Sequence, residues 1–332
     1  MKSRDSALRG NNSNRESTGT ESDLIARMLT GMEGLDARIL LGAGDDAAVF
    51  KNKQTAVSTD LTIEDIHFRR DWIDLHEVGF RAVMSAISDL AAMAADPFGV
   101  LISLALPQKE SREILEGLTT GIQEAVRKVG ASLIGGDLSS SPGPIVIDVT
   151  VLGEIKDLVT RTGISKGDEI WVTGVLGGAA GAVKIWLSGG NPSMDLRNAF
   201  TRTPSRVLEA RWLVENAGIR TMIDISDGLL RDVNHLADAS DVRIVIESNE
   251  IPIHPGLESD IALSLGMSGG EDYELCLVCE KGSLNPLVDV FEEKFGVRLT
   301  RVGYVEEGSG IEIKGSYTGS SNGILGFDHF LI

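Results

Sequence analysis

The sequence predicts an α/β (α+β) protein of two domains, on three observations. Strand-like and helix-like segments alternate along the chain, its 332 residues are about twice a typical domain, and a polar, glycine-containing stretch divides it near the middle. Hydrophobic residues make up 42% and charged residues 24%, which suffices to bury a core and excludes a disordered chain.

Residues 1–20, rich in Ser, Asn, Arg and Gly, predict a disordered tail. Leu24, Ile25, Met28 and Leu29 at helical spacing predict a helix over 21–32. After the loop Gly42–Asp46, apolar runs at 47–50 and 54–59 read as strands. Phe80, Val83, Met84, Ile87, Leu90 and Ala91 recur at steps of three and four and predict a helix over 79–95, ending before Pro97. Strands at 99–106 and 145–154 come next, with a helix over 109–129 between them and a run 132–137 leading into a glycine turn. The polar stretch 156–168, with Gly163 and Gly167, marks the boundary between a domain at 21–155 and one at 165–332. Beyond it the patterns predict strands at 169–173, 221–225, 243–247, 274–279 and 298–305. Helices are expected at 178–187, 203–217 (Pro204 in its first turn) and 228–239, and a loop at 189–197.

Lys and Arg total 31 against 49 Asp and Glu, a net charge of −18 that disfavours nucleic acid and anionic membranes as partners. An anionic substrate would therefore need cations as intermediaries. No apolar run approaches the roughly 18 residues of a membrane span, and the first twenty residues lack a signal-peptide core, so a cytoplasmic location is expected. Cys276 and Cys279 have C-x2-C spacing without a second pair and lie in an apolar run, which reads as a buried strand rather than a zinc site.

The acids are not spread evenly. They fall at the ends of apolar runs beside glycine or small residues: Gly44-Asp45-Asp46, Ser58-Thr59-Asp60, Ser88-Asp89, Gly135-Gly136-Asp137, Asp224-Ile225-Ser226-Asp227-Gly228 and Gly269-Gly270-Glu271-Asp272. Each alone could cap a helix or stabilise a turn. Together, carboxylate and hydroxyl oxygens at such turns are the hard ligands that Mg2+ prefers. Thr173–Gly181 follows a strand and opens a helix, so its N–H groups could cradle an anion or serve tight strand-to-helix packing. It is not G-x-G-x-x-G, and no Walker lysine motif occurs. No Ser-His-Asp set can be nominated from the five histidines.

The ordered motifs Gly44–Ala48, Ser58-Thr-Asp60 with His67-Phe68, Ser88–Met93, Gly135-Gly-Asp137, Arg161-Thr-Gly163, Asp224–Leu229, Gly269–Leu275 and Gly326–Phe330 resemble the thiamine-monophosphate kinase family. That family belongs to the aminoimidazole-ribonucleotide-synthetase-like superfamily. The resemblance implies a two-domain synthetase-like fold, each domain a mixed sheet packed by helices, with N-terminal domains pairing in a homodimer. It implies direct phosphoryl transfer from ATP to thiamine monophosphate with several Mg2+ ions, and neither a covalent nucleophile nor a general base. By motif position, Asp46, Ser58, Thr59, Asp60, Asp89, Asp137, Asp224 and Asp227 would carry metal. Gly136, Asp137, Arg161 and Ser226 would meet ATP, and His67, Glu271 and Phe327 the thiamine monophosphate. Leu138, Ala86 and Ala94 depart from the residues frequent in the family, Ala94 standing where glycine is usual. The residues themselves also leave open a different ATP-dependent synthetase of the superfamily, or a metal- and nucleotide-binding protein without turnover.

Overall fold

The computed structural model describes residues 39–41, 48–50 and 54–317; the helix expected over 21–32 lies outside the described residues. The first half holds β1 (Ile39–Leu41), β2 (Ala48–Phe50), β3 (Thr55–Ile63), α1 (Leu75–Ala92), β4 (Asp96–Pro107), α2 (Ser111–Lys128), β5 (Ser132–Ser141) and β6 (Val146–Glu154). Their strands form one sheet in the order β1-β2-β3-β6-β4-β5, antiparallel except for the β4–β5 pair. The second half holds β7 (Glu169–Thr173), α3 (Gly178–Leu187), α4 (Met194–Thr201), α5 (Val207–Ala217), β8 (Thr221–Ile225), α6 (Leu229–Ser240) and β9 (Arg243–Glu247). It continues with α7 (Ser259–Ser268), β10 (Glu274–Cys279), α8 (Val288–Phe295), β11 (Leu299–Glu306) and β12 (Gly310–Lys314). The second sheet runs β12-β9-β11-β7-β10-β8, with β12–β9 its parallel pair. Both sheets are mixed and both are packed by helices, as the sequence predicts.

Helix α1 touches both halves. Apart from His76, Glu77, Arg81 and Asp89 its residues are apolar or small, the pattern of a largely enclosed helix, and Ala82, Val83, Met84, Ala86 and Ile87 are fully buried. It packs on β3 and β6 on one side, on α2 along its length, and on α5 and β8 of the second half. The contact with α2 is close because Gly121 faces its backbone: a Cβ there would lie 1.8 Å from the His76 carbonyl oxygen. The helix begins at Leu75, earlier than the apolar spacing suggests, because Asp74 and Glu77 form a capping box. The Asp74 carboxylate accepts the Glu77 N–H at 2.9 Å, and the Asp74 N–H donates to Glu77 at 3.0 Å.

Three expectations are corrected. Residues 132–141 are one continuous edge strand, without the glycine turn; Gly136 is required because β4 approaches so closely that a Cβ would sit 1.9 Å from the Ile102 carbonyl oxygen. The stretch 189–197 is not all loop. Ser193 caps α4 by accepting the Leu196 N–H at 3.4 Å, and burial of Leu196 and Phe200 outweighs the loop-like composition before them. Helix α5 starts at Val207 rather than 203, since Arg206 (φ 46°) takes a left-handed conformation with its guanidinium held by Glu274 through two 2.6 Å hydrogen bonds. The pattern reading also passed over α7, α8 and β12.

Cys276 and Cys279 lie buried in β10, and burial pushes the Cys279 thiol up to about 11. Among the described residues no helix is long and apolar enough to cross a membrane.

Ala94, just past α1, has φ 50°, a left-handed conformation that strains an L-residue bearing a Cβ and suits glycine. Ala94→Gly should therefore raise stability by about 0.5–1 kcal/mol, the relieved strain exceeding the added freedom of the unfolded chain. The check is a thermal midpoint raised by roughly 1–3 °C.

Candidate functional site

Three carboxylates arrive from three elements. Asp60 is on β3, where Ser58, two residues earlier, shares its face. Asp89 is in the last turn of α1, and Asp224 is buried on β8. Hydroxyls tie them together: Ser58 Oγ donates to Asp89, and Ser88 Oγ donates to Asp224 Oδ2 at 2.7 Å. Neighbouring residues 88 and 89 lie about 100° apart around α1, which lets one helix reach β8 and β3 at once. All three carboxylates act on Tyr273, whose phenol is pushed up by burial first and by Asp60, Asp224 and Asp89 in addition, with Arg81 opposing.

Glu271 stands beside this cluster on a strained turn, with φ 77° at Glu271 and φ 51° at Tyr273. The Glu271 N–H donates to the Ser226 carbonyl and the Tyr273 N–H to that of Ile225, both at 2.8 Å, pinning the turn to the end of β8. The Tyr273 hydroxyl donates to Glu271 Oε2 at 3.1 Å. Asp227, in the same loop as Ser226, lies 3.3 Å from Arg231 Nε. Its carboxylate also groups with Asp232 and His235, with ligand atoms all within 4.8 Å of one another. Asp232 accepts the N–H groups of Asp227 and Gly228 at 3.2 and 3.1 Å and so fixes the loop that carries Asp227; an acid in the first turn of a helix is the signal that could have found it. His67 is half-buried after β3, where its Nδ1 accepts the Ile63 N–H at 3.0 Å.

The other sequence-nominated residues sit apart from this group. Thr59 points to the opposite face of β3 from Asp60 and donates to Asp148 at 2.9 Å, an acid that the motif reading passed over. Leu61, Asp148, Ser103 and Asp137 form one row across β3, β6, β4 and β5, with Asp137 about two strand spacings, roughly 10 Å, from Asp148. Asp137 and Gly136 are exposed on the edge strand and border a cavity of about 470 Å³ whose apolar wall includes Ile102, Leu104, Leu115 and Ile122. Arg161 is half-buried in the segment between β6 and β7, which is tied to β8 by the Met222 N–H donating to the Thr160 carbonyl at 3.2 Å. Asp46 and Phe327 lie outside the described residues.

The glycine segment before α3 resolves to packing. Gly177 (φ 86°) caps the helix, and its N–H donates at 2.7 Å to the buried Asp272 carboxylate, which also faces the N–H groups of Gly178 and Ala179. The acceptor at this helix N-terminus is the chain's own carboxyl group. Burial pushes the Asp272 carboxyl up to about 8, against the lowering effect of those donors.

Comparison with known proteins gives a consistent result. The model of the AIR synthase related protein N-terminal domain matches residues 44–155, and that of the C-terminal domain matches 165–316. The thiamine-monophosphate kinase of Rhodopirellula baltica is 32% identical over 292 residues, 82% of this chain and 86% of the relative. That of Escherichia coli K12 is 33% identical over 296 residues, 85% and 89% of the two chains. The solved structure of AaThiL complexed with AMPPCP and TMP superposes with a TM-score of 0.80 at 28% identity, covering 93% of this chain and 97% of that one.

Asp272→Ala should strand buried N–H donors at the start of α3 and lower the unfolding free energy by about 2 kcal/mol. Chemical denaturation with an unchanged denaturant slope is the measurement, and added inorganic phosphate at millimolar concentration should restore little of the loss.

Proposed function

The chain belongs to the thiamine-monophosphate kinase family of AIR synthase related proteins, and from that membership and the geometry of the acid cluster we propose that it transfers the γ-phosphoryl group of ATP to thiamine monophosphate, yielding ADP and thiamine diphosphate. The observation that supports this reading most is the convergence of Asp60, Asp89 and Asp224, from both sheets and the helix between them, beside Glu271.

The donor set fits Mg2+: three carboxylates with the hydroxyls of Ser58 and Ser88 are hard oxygen ligands, and no thiolate or cluster of imidazoles competes among them. When bound, Mg2+ would neutralise phosphate oxygens and hold donor and acceptor in line. In this reading Asp60, Asp89 and Asp224 hold metal with Ser58, and Asp46, Thr59, Asp137 and Asp227 serve further Mg2+ ions. Gly136, Asp137, Arg161 and Ser226 meet ATP, and the planar Arg161 guanidinium suits a phosphate chain. The apolar cavity beside Gly136 offers room for the nucleoside. His67, Glu271 and Phe327 meet thiamine monophosphate, with the Phe327 ring suited to stacking on its aromatic portion. The acceptor phosphate is already an oxygen nucleophile at neutral pH, so the side chains orient and neutralise rather than remove a proton.

A homodimer belongs to the same reading. The edge strand β5 is exposed along nearly its whole length, and its Leu133, Ile134 and Leu138 are 52–57% exposed. A second copy laid over this face would cover an unpaired edge and an apolar patch. The domain limits 21–155 and 165–332 and a cytoplasmic location complete the proposal.

Purified protein given ATP, Mg2+ and thiamine monophosphate should form thiamine diphosphate and ADP in equal amounts; ATP binding without that product would overturn the kinase reading. Asp60→Asn and Asp224→Asn should each raise the Mg2+ concentration for half-maximal turnover by roughly tenfold or more. Unchanged Mg2+ titrations would remove those residues from the metal set.

A further inference from the structure

Arg81 is a charged side chain in the protein interior, only 4% exposed, and it lies outside the motifs that carry the family resemblance. Both terminal nitrogens of its guanidinium are engaged. One terminal nitrogen donates to the Phe200 carbonyl at 2.5 Å and to Thr203 Oγ1 at 3.3 Å, and the other pairs with the Glu271 carboxylate. The group lies over the Phe200 ring, 3.8 Å from its centroid, and faces Tyr273 at 5.7 Å. Phe200 is held in turn by the edge contact of Trp186 at 5.4 Å, and Trp186 stacks on Trp72 at 5.4 Å with the rings 7° from parallel.

A buried cation costs several kcal/mol unless paired, and this one is placed beside Glu271 and Tyr273, both in left-handed backbone conformations. Strain of that kind persists only where the surroundings over-determine it. Glu271 itself is partly open, its side chain 29% exposed, and without Arg81 its carboxylate would be left to the Tyr273 hydroxyl and free to turn about that bond. Arg81 removes that freedom: the stacked, three-way-bonded guanidinium offers Glu271 a single orientation.

We propose that Arg81 is a positioning residue for the acceptor substrate, holding Glu271 and its strained turn in the orientation that receives thiamine monophosphate. The inference rests on the kinase reading and on Glu271 meeting that substrate. Arg81 is covered by Phe200, Tyr273 and Glu271, so it acts through Glu271 rather than by touching the substrate.

Steady-state kinetics with each substrate varied in turn test it, using Arg81→Met, Arg81→Lys, Glu271→Gln, Phe200→Leu and the double variant Arg81→Met/Glu271→Gln. Arg81→Met should raise the KM for thiamine monophosphate about tenfold or more while that for ATP changes less than about twofold. Arg81→Lys should recover part of the loss, since an ammonium can pair with Glu271 but cannot lie flat on Phe200. The double variant should be no worse than the more impaired single variant, because both remove the same orientation. Should Arg81→Met fail to fold, Phe200→Leu, which takes away only the ring under the guanidinium, should give the same selective rise on a smaller scale. Equal rises in both KM values, a fall in kcat alone, or losses that multiply in the double variant would overturn the proposal while leaving the kinase reading intact. Failure of the wild-type protein to turn over thiamine monophosphate would overturn both.

Discussion

The arrangement of the site depends on the enclosure of one helix. α1 is covered by β3 and β6, by α2 and by the second half, and its small residues allow those neighbours to approach its backbone. A helix packed on all sides cannot turn about its axis without opening cavities, each of which costs on the order of 1 kcal/mol or more per lost methylene contact. Arg81 and Ser88, two turns apart on one face, are therefore aimed permanently at the second half, and Asp89 at β3. The capping box at Asp74 and the Arg197 guanidinium on Glu77 hold the other end of the same helix.

Enclosure also decides the electrostatics. Asp60, Asp89 and Asp224 are carboxylates gathered beside a buried phenol, which they push up in addition to burial while the Arg81 cation opposes them. Ser58 and Ser88 donate hydroxyl hydrogen bonds to Asp89 and Asp224, and the Arg81 cation pairs with Glu271. Elsewhere acids have other work. Asp272 supplies the acceptor that the first N–H groups of α3 call for, and Asp232 ties down the loop after β8. Similar residues at similar glycine turns thus divide into those that hold the fold and those that converge beside Tyr273.

The open face of the first sheet is the counterpart of the enclosed one. The alternation of β3 sends Ser58 and Asp60 toward α1 and sends Thr59 and Leu61 outward with Asp148. Ser-Thr-Asp therefore serves two surfaces with three consecutive residues, and the row that ends at Asp137 belongs to the outer one.

The sequence by itself determined the class of fold, five of the six strands of the second half to within a residue or two, and the types of residue at the site, because apolar periodicity and glycine punctuation are local signals. It could not foresee α4, where burial of Leu196 and Phe200 overrides loop-like residues, nor the extended course of Gly135-Gly136, where the close approach of β4 makes glycine a strand residue. The glycine segment before α3 left two readings open until a carboxylate 95 positions later was found at its N–H groups. Arg81 was invisible for a related reason: in sequence it is one arginine in an apolar helix, and its partners Phe200, Thr203 and Glu271 lie more than a hundred residues away. Local spacing can nominate the atoms of a site, but which of them share a volume is set by long-range packing, and only the tertiary structure contains that.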